Sequence, residues 1–114
     1  MLVVYVAGAF RAGTNQWEQH KNVLRAEATA LELWAAGYSV ICPHKQSEHY
    51  QGALPDEVWL AGFLAQMNLC AAVVLIPGWE NSAGTLEEIA EARRHGIPVY
   101  VTIEEAVKNL RLLN

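Results

Sequence analysis

The sequence predicts an α/β domain, a parallel four-stranded sheet in a three-layer sandwich with helices on both faces. Three observations carry that reading. Short apolar runs alternate with helical patterns in the order β-α-β-α-β-α-β-α. Two of the runs, Leu2–Ala7 and Ala72–Ile76, are apolar throughout, as strands covered on both sides must be. The alternation in turn demands right-handed crossovers, which place successive helices against the sheet.

Each element has its own local signature. Leu2–Ala7 is the first strand, and Gly8–Gly13 is the loop that leaves it. Thr14 and Asn15 can cap a long helix to about Ala36, with Asn15 and Glu18 at capping-box spacing. Leu24, Ala28, Leu31 and Ala35 recur at helical spacing as its apolar stripe, and Gly37 stops it. Tyr38–Cys42 is the second strand, closed by Pro43, and a polar loop runs from His44 to about Pro55. Asp56 caps a helix to about Leu69, and Ala72–Ile76 is the third strand. A helix from about Ala83 to His95 ends at Gly96. Ile97–Val101 is the fourth strand, with Pro98 suiting an edge position. Glu104–Leu112 closes the chain, acidic residues first and Lys108 and Arg111 last, matching the helix dipole. The arrangement expected is flavodoxin-like (Rossmann-like), with sheet order 2-1-3-4.

Composition narrows the functions. A length of 114 residues supports one core, so residues 1–114 read as one domain. A formal charge of −4, with eight scattered Lys and Arg, offers no basic footprint for nucleic acid or a membrane surface. The N-terminal apolar run lacks a charged leader and is too short to span a bilayer. Cys42 and Cys70 have neither metal nor disulfide spacing, so they read as buried free thiols in a cytoplasmic protein.

In such sheets ligands bind beyond the carboxyl ends of the strands, where the strand order reverses. Strands one and three are the expected neighbours there, so Gly8–Gly13 faces Pro77–Thr85. Ser82, Gly84 and Thr85 open a helix directly after a strand, which presents free backbone N–H groups to an anion. They serve equally as an ordinary cap. Glu88 lies at the border of the stripe formed by Leu86, Ile89 and Ala92, in line with Thr85, whereas Glu87 shares the outer face with Glu91 and Arg94. Glu88 therefore either complements the dipole or enters the cleft as a nucleophile or base. Arg11 is a phosphate partner or a surface arginine, and Gly8 and Gly13 would let a ligand approach the backbone. His44 is the better ligand contact of the two loop histidines. With His49, Glu48 and Cys42 it matches no standard metal spacing, so neither metal nor cofactor is expected. Trp79 walls the cleft or covers core; Trp17, Trp34 and Trp59 fall on helices and read as packing.

Four segments, Tyr5-Val-Ala-Gly-Ala-Phe-Arg11, Val40-Ile-Cys-Pro-His44, Asp56-Glu-Val-Trp-Leu60 and Val74-Leu-Ile-Pro-Gly-Trp-Glu-Asn-Ser-Ala-Gly-Thr-Leu-Glu-Glu88, resemble the nucleoside 2-deoxyribosyltransferase superfamily. The similarity covers nearly the whole chain and looks closest to the DUF4406-like group and the 2′-deoxynucleoside 5′-monophosphate N-glycosidase branch. The resemblance implies a glutamate, here Glu88, that attacks the anomeric carbon and releases the base to water or an acceptor base. It implies that Tyr5, Gly8, Arg11, His44 and Ser82 bind substrate, with Ser82 at the phosphate; Phe10, Trp79 and Gly84 are further candidate contacts at the same strand ends. It also implies a homodimer or higher homo-oligomer, for which Trp59, Leu60 and Phe63 could supply the contact.

Two positions depart from that pattern. Phe63 and Ala71 stand where the family carries aspartates, and Phe63 can neither transfer a proton nor accept a hydrogen bond. Asp56, Glu57 or His44 would have to supply acid help to the leaving group. A nucleotide-binding module without turnover is the competing expectation. Cleavage of an NAD-like bond and a purely interacting protein have less behind them.

Overall fold

The computed structural model describes residues 1–10, 15–47, 50 and 52–110. Its sheet is parallel throughout, ordered β2-β1-β3-β4, as the sequence predicts. β1 (Val3–Ala7) lies between β2 (Ser39–Ile41) and β3 (Ala72–Leu75), and β4 (Val99–Tyr100) forms the far edge. The central pairing runs from Val4 opposite Ala72 to Ala7 opposite Leu75. Proline at 98 is tolerated because β4 has a neighbour on one side only.

Side-chain alternation splits the core into two layers. Val4 and Val6 of β1 join Ala72, Val74 and Ile76 beneath α1 (Gln16–Ala35) and α5 (Ile103–Asn109). Tyr5 and Ala7 point the other way, joining Val73 and Leu75 beneath α3 (Asp56–Met67) and α4 (Ala83–Arg94). The side chain of Tyr5 therefore belongs to the α3–α4 layer. Both cysteines are buried and free. Tyr38 ties the far end of the chain down, its hydroxyl donating to the Leu110 carbonyl at 2.9 Å.

The first helix starts as expected, the Asn15 side chain accepting from the Glu18 amide at 2.9 Å, and Gly37 ends it at φ 101. Its orientation differs from the expected one. The buried side is Asn22, Val23, Ala26, Thr29, Ala30 and Leu33, while Leu24, Ala28, Leu31 and Ala35 face outward. Trp17 and Trp34 are exposed rather than packed. Ala26, Thr29 and Ala30 keep the middle of the inner side small, and the fully buried Leu33 fills the core toward the end of the helix. In α4, Leu86 is likewise exposed and Thr85 is buried in its stead, because Thr85 turns inward to reach Ser82.

The stretch after β2, expected as loop, begins with a short helix, α2 (Pro43–Ser47). Proline suits a first helical turn, where its missing N–H is no loss and its φ is already helical. Ser47 Oγ donates back to the Pro43 carbonyl at 3.1 Å. One turn of 3₁₀ helix, Trp79–Asn81, leads into α4. Gly8 owes its identity first to packing, since a Cβ there would stand 2.6 Å from Ile76 Cβ. Gly8→Ala should therefore cost about 1–3 kcal/mol through forced separation of the β1 and β3 exits, read as a lower urea midpoint. An unchanged midpoint would show that this junction is not tight.

Candidate active site at the strand ends

The exits of β1, β2 and β3 open onto a cleft of about 450 Å³. Gly8 and Phe10 contribute from β1, Pro43, His44 and Ser47 from β2, and residues 82–85 with Glu88 from α4. Asp56, Glu57, Trp59, Leu60 and Phe63 of α3 form the remaining wall. This is where a doubly wound sheet is expected to take a ligand.

Glu88 is half-buried, and the buried Tyr5 hydroxyl donates to its Oε2 at 2.5 Å. The partnership follows from register: Tyr5 is on the α3–α4 face of the central strand, and Glu88 is one turn into the helix above it. Burial pushes the Glu88 carboxyl up to about 7, against the opposing pull of the Tyr5 hydrogen bond, with Glu87 adding a smaller upward push. Burial and the neighbouring carboxylate push the Tyr5 hydroxyl far above its usual range, so it remains a donor. Glu88 is thus poised between acid and carboxylate near neutral pH, as a general base or nucleophile requires.

Ser82 caps α4, its Oγ accepting from the Thr85 amide at 3.2 Å and from the Thr85 hydroxyl at 2.9 Å. Both lone pairs are then occupied, and the one remaining hydroxyl function is to donate. The amides of Ala83 and Gly84, in the first turn, have no carbonyl behind them. A Cβ on Gly84 would meet nothing within 4 Å, so the backbone there is open to a ligand. This end of the cleft offers donors to an anion.

His44 is buried, with Nε2 2.9 Å from the Ala9 carbonyl and the ring 5.2 Å from that of Phe10. The carbonyl can only accept, so Nε2 carries the proton in the tautomer this contact selects. Burial lowers the His44 pKa, holding the ring neutral, and Nδ1 is a buried acceptor without a partner. His44 is therefore suited to receive a hydrogen bond and unsuited to protonate a leaving group. Among the carboxyls considered as substitutes, Asp56 and Glu57 both reach the cleft, on its exposed side.

The far wall is hydrocarbon. Phe63 lines the cleft and stacks with Trp59 at 6.3 Å, and Trp59 stacks in turn on Tyr50 at 6.0 Å. Trp59, Leu60 and Phe63 thus serve the cleft, and Trp59 is more than helix packing. Ala71 lies at the opposite end of the sheet, its amide donating to the Val3 carbonyl at 2.8 Å. Its departure from the family pattern leaves the cleft untouched. Trp79 is half-buried against the α3–α4 layer and covers core rather than lining the cleft. Arg11, Gly13, Glu48 and His49 lie outside the described residues. Sequence reasoning missed Thr85 as a buried partner of Ser82 and the coupling of Tyr5 to Glu88. A tyrosine within an otherwise aliphatic strand was the available signal for the second. Among the described residues, no three His, Cys, Asp or Glu side chains gather closely enough to hold a metal ion, and no helix is long and apolar enough to cross a membrane.

Parallel α/β architecture with an ionisable carboxyl beside a helix-start donor cluster defines the class of protein. The chain belongs to the family described as "Domain of unknown function (DUF4406)", which matches residues 2–101. No curated protein is significantly similar to it.

The raised Glu88 pKa has a consequence for stability. The unfolded carboxyl ionises near 4.5 and the folded one near 7, so stability falls as pH rises between those values. Glu88→Gln should accordingly stabilise the protein by about 2–3 kcal/mol above pH 7 and by little at pH 4.5, measured by urea unfolding at both. A pH-independent difference would show that Glu88 ionises normally.

Proposed function

We propose that the cleft binds a 2′-deoxynucleoside 5′-monophosphate and cleaves its N-glycosidic bond, with Glu88 as nucleophile. The observation that carries this reading is the Tyr5–Glu88 pair, a half-buried carboxyl held by a buried phenol beside the donors of Ser82, Ala83 and Gly84. The phosphate would sit at the start of α4, where amides and the dipole favour an anion. The pentose would then lie over Glu88, and the base against Trp59 and Phe63, whose faces suit a flat ring. The Glu88 carboxylate bonds to the anomeric carbon as the C–N bond breaks, and the departing base takes a proton from the exposed side of the cleft, where Asp56, Glu57 and solvent stand. Water then hydrolyses the glycosyl-enzyme ester, releasing the sugar phosphate and restoring the carboxylate. Transfer to an acceptor base is the same chemistry with a different second step. Family resemblance supports the reading, as does a chemically two-ended cleft. The same resemblance supports a cytoplasmic homo-oligomer.

Base release from a panel of deoxynucleoside monophosphates, followed by chromatography, tests the activity. Turnover should fall at least 10³-fold in Glu88→Ala, and unchanged turnover would remove the mechanism. Tyr5→Phe should lose about 10–100-fold in kcat/KM, since the bond to a charged acceptor is worth about 1.5–3 kcal/mol. It should also move the acid limb of the pH profile upward, because the lost donor had favoured the carboxylate. An unmoved limb would separate Tyr5 from the ionisation of Glu88.

Phe63 supports a second reading, a nucleotide-binding module without turnover. At this position the cleft presents a ring in place of a proton donor. Calorimetric binding of a monophosphate without base release, together with cleavage appearing in Phe63→Asp, would favour it. Robust turnover by the unmodified chain would eliminate it.

A further inference from the structure

A side-chain amide, that of Asn22, sits among the buried residues on the inner side of α1, only 7 % exposed. Burying such a group costs desolvation unless each of its ends finds a partner. Both ends do. Its Nδ2 donates to the Phe10 carbonyl at 2.8 Å, and its Oδ1 accepts from the Arg25 guanidinium at 2.7 Å. A carbonyl can only accept and a guanidinium can only donate, so the two partners fix which way the amide points. Its contact to Phe10 crosses from the helix to the exit of β1.

The preceding carbonyl is held in the same manner. Ala9 accepts from His44 Nε2 at 2.9 Å, so two consecutive carbonyls of the β1 exit are gripped by buried side chains from two different helices, α1 and α2. One residue earlier, Gly8 lies tight against Ile76. The backbone is thus set at three successive positions. It carries the Phe10 ring, which lines the cleft with its centroid 5.2 Å from that of His44. Asn22 is not itself among the lining side chains, so its influence on the cleft passes through Phe10 and the adjacent carbonyl.

We propose that Asn22 is a positioning residue for the cleft: its amide locks the β1 exit, and with it the Phe10 ring and the Ala9–His44 contact, while Arg25 orients the amide. What the cleft binds rests on the nucleotide reading; the placement of its wall by Asn22 does not. Asparagine suits the task better than its nearest relatives. Aspartate would keep the size and the Arg25 contact but set an acceptor against the Phe10 carbonyl, and glutamine is one methylene too long for the same span.

Two measurements on the full chain test this, one needing no ligand. The His44 ring-proton resonances report the Phe10 ring beside them, and they should move in Asn22→Asp. The Glu88 carboxyl titration, followed by carbon-13 NMR across the sheet, should keep its midpoint. Arg25→Met, at an exposed position that leaves folding intact, should move the same His44 resonances part of the way, and Arg25→Lys less, since it keeps a cationic donor. Calorimetric affinity for a deoxynucleoside monophosphate should fall about tenfold or more in Asn22→Asp, as a displaced wall requires. His44 resonances indifferent to both Asn22→Asp and Arg25→Met would overturn the proposal. So would a Glu88 midpoint that shifts with them, which marks general loosening, or an unchanged affinity in Asn22→Asp. A wild-type chain that binds no monophosphate would sink the nucleotide reading instead, and the His44 resonances would still decide the role of Asn22.

Discussion

Tyr5 has no exposed surface, so its hydroxyl must find an acceptor inside the protein. The acceptor is Glu88, 83 residues away, and the fold around the cleft is organised about that contact. Pairing of β1 with β3 puts Tyr5 at the centre of the sheet, and alternation directs it into the α3–α4 layer. The bond then holds a carboxyl in surroundings that disfavour its charge. Neither residue would be stable alone in this position. An unpartnered buried phenol costs the desolvation of its hydroxyl, and an unpartnered half-buried carboxylate costs more.

The remaining cleft chemistry follows from what surrounds that pair. At the α4 end, Ser82 and the leading amides are arranged as donors, and the Ser82–Thr85 bonds keep them in place. At the α3 end the lining is aromatic. Between them His44 is fixed by the Ala9 carbonyl in one tautomer and kept neutral by burial. The site therefore combines one group able to change protonation near neutral pH with others whose proton positions are fixed.

Much of this was legible in the chain. Strand order 2-1-3-4 is the doubly wound arrangement expected of β-α alternation with right-handed crossovers, and the sheet has it. The caps at Asn15 and Ser82 were local signals read correctly. Placement of Glu88 on the inner side of its helix followed from its alignment with Thr85 and Ala92. The facing of α1 was misread because leucines at helical spacing outweighed a second stripe of alanine and threonine. The buried stripe also holds Val23 and Leu33, and periodicity by itself does not choose between two stripes. Pro43 read as a strand terminator although proline is equally a helix opener. Gly8 looked like room for a ligand, but its close neighbour is Ile76, 68 residues away. Contacts of that kind leave no trace in local pattern.

The donor cluster at the start of α4 has a thermodynamic corollary. A phosphate monoester seated there would bring close to two negative charges into the cleft that holds Glu88, since its second ionisation lies near pH 6. Anion and carboxylate would then oppose one another, and the occupied site would hold its proton to higher pH than the empty one. Uptake of ligand and uptake of hydrogen ion thus become a single coupled equilibrium. The heat of association near neutrality would carry the ionisation enthalpy of whichever buffer gives up the proton.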